Sequence, residues 1–78
     1  MWIERKSPSR IERRFEFESY TRISFFMERI ENLCKEKEIY PNISFGKTFV
    51  SITIFLEDEE KNQRFTGFSK MIDEIYEG

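Results

Sequence analysis

The sequence predicts an α+β fold: a four-stranded antiparallel sheet with two helices packed on one face, in the order strand, strand, helix, strand, strand, helix. Three observations predict it. Phe49–Leu56 alternates strictly, with Val50, Ile52, Ile54 and Leu56 on one side and Phe49, Ser51, Thr53 and Phe55 on the other. Ile23, Phe26, Met27, Ile30, Leu33 and Cys34 recur at helical spacings of three and four. Phe65, Phe68, Ile72 and Ile75 do the same near the end of the chain. With 78 residues, 1–78 reads as a single domain.

The elements come in order. Trp2–Lys6 is short and extended, and Ser7-Pro8-Ser9 is a turn. Ile11–Phe17 alternates: Ile11, Arg13, Phe15 and Phe17 share one face, and Arg10, Glu12, Arg14 and Glu16 the other. These two segments make a hairpin. Ser19 has the short hydroxyl of a helix N-cap and precedes the first periodic segment. Arg22, Glu28, Arg29, Glu31 and Lys35 lie off that helix's apolar stripe, and the helix fades in Lys35-Glu36-Lys37-Glu38. Ile43–Phe45 is a short strand, and Gly46-Lys47 makes a turn or bulge before the strong strand. The β-branched content of that strand supports its assignment. Asn62 is the expected cap of the last helix. If both helices cover the Val50-Ile52-Ile54-Leu56 stripe, then Phe45, Phe49 and Phe55 lie on the uncovered face of the sheet.

Composition narrows the function. A chain of this size buries only about 60% of the surface its unfolded form exposes. Small domains usually add disulfides, a metal or a partner subunit. There is one cysteine and no histidine, which excludes an internal disulfide and argues against a metal site. Self-association or a larger partner remains. Nine Phe, three Tyr and one Trp supply more aromatic surface than so small a core needs. The net charge of −2 gives no general drive toward nucleic acid. Arg5, Lys6, Arg10, Arg13 and Arg14 nevertheless crowd the first strands, while Glu57–Glu60 is acidic throughout and reads as a solvated loop. No apolar run can span a bilayer and no leader opens the chain, so the expected location is cytoplasmic.

Catalytic readings fail one by one. Gly46-Lys47-Thr48 resembles the end of a phosphate loop, but Pro41 stands where the first glycine belongs and a strand comes next instead of a helix. Cys34 has no histidine to activate it and sits on an apolar stripe, as a small core residue does. Glu36, Glu38 and Glu57 lie in polar stretches, where solvated carboxylates stay ionised and make poor acids. The aromatics are different: Phe45, Phe49 and Phe55 together on an open face would form an adhesive patch, which points to an interface.

A resemblance then emerges. Phe15-Glu16-Phe17 with Tyr20, Phe26-Met27 with Arg29-Ile30, and Val50-Ser51-Ile52-Thr53-Ile54 resemble the pterin-4a-carbinolamine dehydratases in one register. The resemblance implies the fold inferred above and pairing of two copies through their sheets. Enzymes of that family carry His-His-Pro at the start of the third strand, where this chain has Ile39-Tyr40-Pro41, and a further histidine near Glu57. Imidazoles suit the two proton transfers of the dehydration. Ile cannot perform either, and Tyr, with a pKa of about 10, is a poor base. Ile39, Tyr40, Pro41 and Glu57 therefore read as a degenerate pterin site.

A narrower resemblance covers Trp2, Glu4-Arg5, Pro8, Arg10, the run Glu12-Arg13-Arg14-Phe15-Glu16-Phe17, and Tyr40-Pro41 with Ser44-Phe45-Gly46-Lys47-Thr48. These blocks are similar to dehydratase-like proteins encoded beside α-carboxysome genes. That branch lacks the catalytic histidines and assists RuBisCO assembly. It implies a non-enzymatic homodimer without cofactor or metal, in a cyanobacterium or chemoautotroph. RuBisCO would be the partner, with the large subunit as the expected contact, and the location could extend to the carboxysome. The expected partner-facing residues are Arg10, Arg14, Tyr40, Phe45, Lys47, Phe49 and Phe55. The alternatives are a pterin dehydratase, a degenerate pterin binder, or a dimerisation cofactor for another protein.

Overall fold

The strictly alternating strand lies inside the sheet, between two others. The computed structural model describes residues 2–56 and 59–78, with the backbone alone over 59–64. Its elements are β1 (Ile3–Arg5), β2 (Arg10–Glu16), α1 (Tyr20–Lys37), β3 (Asn42–Phe45), β4 (Phe49–Phe55) and α2 (Glu59–Glu77). The strand order is β1-β2-β4-β3, and every neighbouring pair is antiparallel. The predicted α+β architecture and ββαββα order are those observed.

Period-two alternation puts Val50, Ile52 and Ile54 on the covered face, where all three are buried. From β2, Phe15 joins them, opposite Val50 in the register. The helices close this layer with Ile23, Phe26, Ile30 and Leu33 from α1 and Phe68 and Ile72 from α2. Phe15, Phe17, Phe26 and Tyr76 pack as an aromatic cluster with ring centroids 4.9–6.0 Å apart. Such tilted and edge-on pairs add stability beyond their buried area. Much of the aromatic surplus therefore belongs to the core. Leu56 is only half-buried and lies just past the end of β4, so it is not part of the expected core stripe.

One polar hub sits beside the aromatic cluster. Asp73 of α2 accepts a hydrogen bond from Trp2 Nε1 at 2.8 Å and an ion-paired one from Arg13 Nη1 at 2.6 Å, both on Oδ1. The Arg13 guanidinium also lies over the Phe15 ring, 4.4 Å from its centroid. Arg13 thus occupies the inner face of β2, as its parity requires, because Asp73 and the ring replace much of its hydration.

Both ends of α1 are closed by specific backbone contacts. The Ser19 hydroxyl accepts from the Arg22 N–H at 3.4 Å, the expected N-cap contact. At the other end Glu38 adopts a left-handed conformation, φ 57°, and the Ile39 N–H reaches back to the Cys34 carbonyl at 3.2 Å. This helix-ending turn directs the next apolar residue back onto the helix, and Ile39 is accordingly buried. Lys35 and Lys37 in the last turn suit the helix dipole.

The last helix departs from expectation at its start. α2 begins at Glu59, so Asn62 lies inside its first turn and does not cap it. Glu59 and Glu60 are helical, which corrects the reading of the acidic run as a loop; carboxylates favour a helix N-terminus. Glu57 and Asp58 lie outside the described residues. Among the described residues no helix is long and apolar enough to cross a membrane.

Stability should respond to changes at the hub and at the helix end. Asp73→Ala strips a half-buried guanidinium of its counter-ion and should cost about 1–3 kcal/mol, read as a lower urea midpoint. An Arg13→Leu/Asp73→Leu double variant should recover part of that loss. Glu38→Gly removes the steric penalty of the left-handed residue and should raise stability by about 1 kcal/mol, which for a domain of this size is roughly 4–8 °C in melting temperature.

Candidate partner-binding surfaces

The open face of the sheet is a mixed lattice of charge and ring. Cross-strand pairing sets Arg5 beside Arg10 beside Phe55, then Ile3, Glu12, Thr53 and Asn42, then Arg14, Ser51 and Ser44, and finally Glu16 beside Phe49. The cations have partners. Arg5 and Arg10 share Glu12, and Arg10 also donates to the Pro8 carbonyl at 2.8 Å. Arg14 Nε pairs with Glu16 Oε1 at 2.8 Å.

Phe49 and Phe55 belong to this face, as expected. Phe55 is 41% exposed. Phe49 is half-buried, because Arg14 stacks on its ring at 4.1 Å from the centroid. Gly46 flanks the same ring. Its backbone has no positive φ, so no turn requires glycine there, but a Cβ would run into Phe49. The ring is seated on one side by a guanidinium and on the other by a bare backbone.

Phe45 is not on this face. It opposes Val50 in the β3–β4 register, and directly opposed residues share a face. Phe45 therefore lies on the helix side, at the sheet edge, and is 53% exposed there. The Gly46 N–H bonds the Phe49 carbonyl at 3.0 Å, so the hairpin turns through Lys47 and Thr48 alone. A two-residue turn places odd residues of β3 opposite even residues of β4, which reverses the face assigned to Phe45 from parity. Lys47 is exposed at this turn.

Tyr40 is also separated from the sheet lattice. It is 73% exposed and joins Phe45, Tyr20, Ile43 and Pro41 around a groove of about 570 Å³ between α1 and the β3 edge. Tyr20 adds to the expected surface residues; its position directly after the N-cap, off the apolar stripe, is the one local signal of its exposure. Cys34 borders the same groove but is buried. Burial raises its thiol pKa, with the Glu31 carboxylate adding to the effect. Of the residues expected to mark a pterin site, Ile39 is a core residue beneath the helix-ending turn, Tyr40 and Pro41 face the groove, and Glu57 lies outside the described residues.

No protein-family model matches the chain, and no curated protein matches it. A solved structure does: a pterin dehydratase-like protein identified as a RuBisCO assembly factor in the alpha-carboxysome. The two share a TM-score of 0.85 and 30% sequence identity, over 96% of this chain and 88% of that one. The chain belongs to the pterin dehydratase-like proteins.

For a pterin dehydratase-like domain, the geometry at Ile39 is informative. The helix-ending turn after α1 buries this position here, so a side chain at 39 is a packing group. The next position, Tyr40, is the first to reach solvent. The buried thiol makes a simple check available: Cys34 should resist a disulfide-exchange reagent in the folded protein and react fully once urea unfolds it.

Proposed function

We propose that this chain is a non-catalytic assembly factor for RuBisCO in an α-carboxysome organism. The observation that carries the reading is the likeness, over nearly the full length of both chains, to a pterin dehydratase-like RuBisCO assembly factor. The chemistry of the chain agrees. It has no histidine, and the position matching the first residue of the family's His-His-Pro is a buried isoleucine. Ile39 has no ionisable group, and a phenol is a poorer general base than an imidazole near neutral pH.

The partner-facing surface in this reading is the open sheet face around Phe49 and Phe55, with Arg10 and Arg14 as its cations and Lys47 at its rim. Aromatic and Arg side chains supply most interface hot spots, because they bury large areas at low entropic cost. Cations so placed steer encounter with the acidic surface of a large oligomer. The RuBisCO large subunit is the contact to test first, in the cytoplasm or at the carboxysome. The chain acts as a homodimer. The open β3 edge, with Phe45, Tyr20 and Tyr40 beside it, is the surface that a second copy would cover.

Capture of RuBisCO by the immobilised protein tests this directly. Phe49→Ala and Arg14→Glu should weaken capture while the melting temperature stays close to that of the parent. Ile52→Ala, which empties the core stripe, should cost about 2–5 kcal/mol of stability. Unimpaired capture by both surface variants would place the interface elsewhere. Light scattering that returned a monomer at low micromolar concentration would overturn the dimer. Robust carbinolamine dehydration in a stopped-flow assay would overturn the non-catalytic reading.

A further inference from the structure

The helix α1 divides its exposed residues by charge. Glu28, Glu31 and Lys35 border the groove along β3, with Lys35 and Glu31 paired at 3.5 Å. Arg22 and Arg29 lie on the opposite flank, one turn either side of Phe25. Phe25 is 64% exposed, off the buried stripe of its own helix. Among the described residues, neither the Arg22 nor the Arg29 side chain has an ion-pair or hydrogen-bond partner. The cations of the open sheet face, by contrast, are matched by Glu12 and Glu16.

These three residues form one wall of a second groove, of about 690 Å³, between the first half of α1 and the end of α2. Its floor includes Phe17 and Ile75, both partly buried against the core. Glu16 and Glu18 stand at the β2 end of the groove, and Glu16 is already held by Arg14. The groove thus combines two free guanidiniums on one wall, an exposed ring between them, and an apolar floor.

We infer that this groove docks an acidic protein segment carrying an apolar anchor residue. Carboxylates of the segment would meet Arg22 and Arg29, while the anchor packs on Phe25, Phe17 and Ile75. Guanidiniums form bidentate pairs with carboxylates, and their separation by one ring favours an occupant that alternates charge with apolar groups. A continuous polyanion such as a nucleic acid fits less well, because its charge at every nucleotide would set a phosphate against Glu18 as well as against the arginines, whereas a peptide can place a neutral residue there. This surface meets the sheet face proposed to bind RuBisCO at Glu16, while Arg22, Phe25 and Arg29 lie on α1, away from Phe49 and Phe55. The inference stands whether or not RuBisCO is the partner there.

The test is fluorescence anisotropy on the full chain with a short labelled peptide of glutamate, leucine and phenylalanine. Binding is expected, weakening as salt rises. Arg22→Glu/Arg29→Glu should weaken it by about tenfold or more, and Phe25→Ala by a comparable factor. Both variants should keep the parent's melting temperature, since these side chains are exposed. Lys6→Glu, an equal change of charge at the far end of the sheet, should leave the affinity unchanged. Absence of binding overturns the inference, as does equal loss with Lys6→Glu. Equal affinity for a polyglutamate peptide of the same length, or tighter binding of oligouridylate sensitive to Arg22 and Arg29, also overturns it. The first would show charge attraction without an anchor, the second a nucleic-acid site.

Discussion

Burial of a single sheet face beneath two helices is the constraint on which the other features of this molecule depend. A four-stranded sheet has two faces, and a chain this short has helices enough for one. Each strand must therefore alternate, and β4 does so without exception from Val50 to Ile54. The covered face becomes a continuous apolar layer, with Phe15, Val50, Ile52, Ile30 and Ile72 all fully enclosed. The other face must then be soluble, adhesive, or both. It meets the demand with ion pairs along β1 and β2 and with two phenylalanines on β4.

The inner layer also had to accommodate a charge. Arg13 shares the parity of Ile11 and Phe15, so the alternation that buries Phe15 turns Arg13 inward as well. An unpaired guanidinium there would be costly. Asp73 and the Phe15 ring resolve the conflict, and in doing so they tie Trp2, just before β1, to β2 and α2 through one carboxylate oxygen. Among the described residues the Arg13 Nε has no partner in the buried layer. The aromatic cluster adjoins this hub, and the Tyr76 hydroxyl donates to the Glu16 carbonyl at 2.8 Å, a second tie between α2 and β2.

The same one-sided architecture distributes the exposed aromatics over separate surfaces. Phe49 and Phe55 are on the open sheet face, Tyr20, Tyr40 and Phe45 along the β3 edge, and Phe25 between the helices. Each surface differs in its charge. The sheet face has paired cations, the edge groove has Glu28 and Glu31 beside its rings, and the interhelical groove has unpaired arginines.

The sequence by itself determined the elements and most of the core. Alternation in β4, the three–four spacing in α1 and the capping serine are local signals, and each governs residues within a turn or a strand of itself. The resemblance carried by the blocks around Arg10–Phe17 and Tyr40–Thr48 likewise pointed to the family to which the chain belongs. Tertiary structure decided which residues meet. Phe45 changes faces because the hairpin turn has two residues, and parity within one strand says nothing about register with the next. Ile39 leaves the surface because Glu38 takes a left-handed turn, which a Glu seldom signals in sequence. The solitary arginines of α1 look like any other helix charges until packing shows that no acid among the described residues reaches them. Local periodicity fixes the direction of a side chain relative to its own element. Only the docking of elements fixes what stands opposite it.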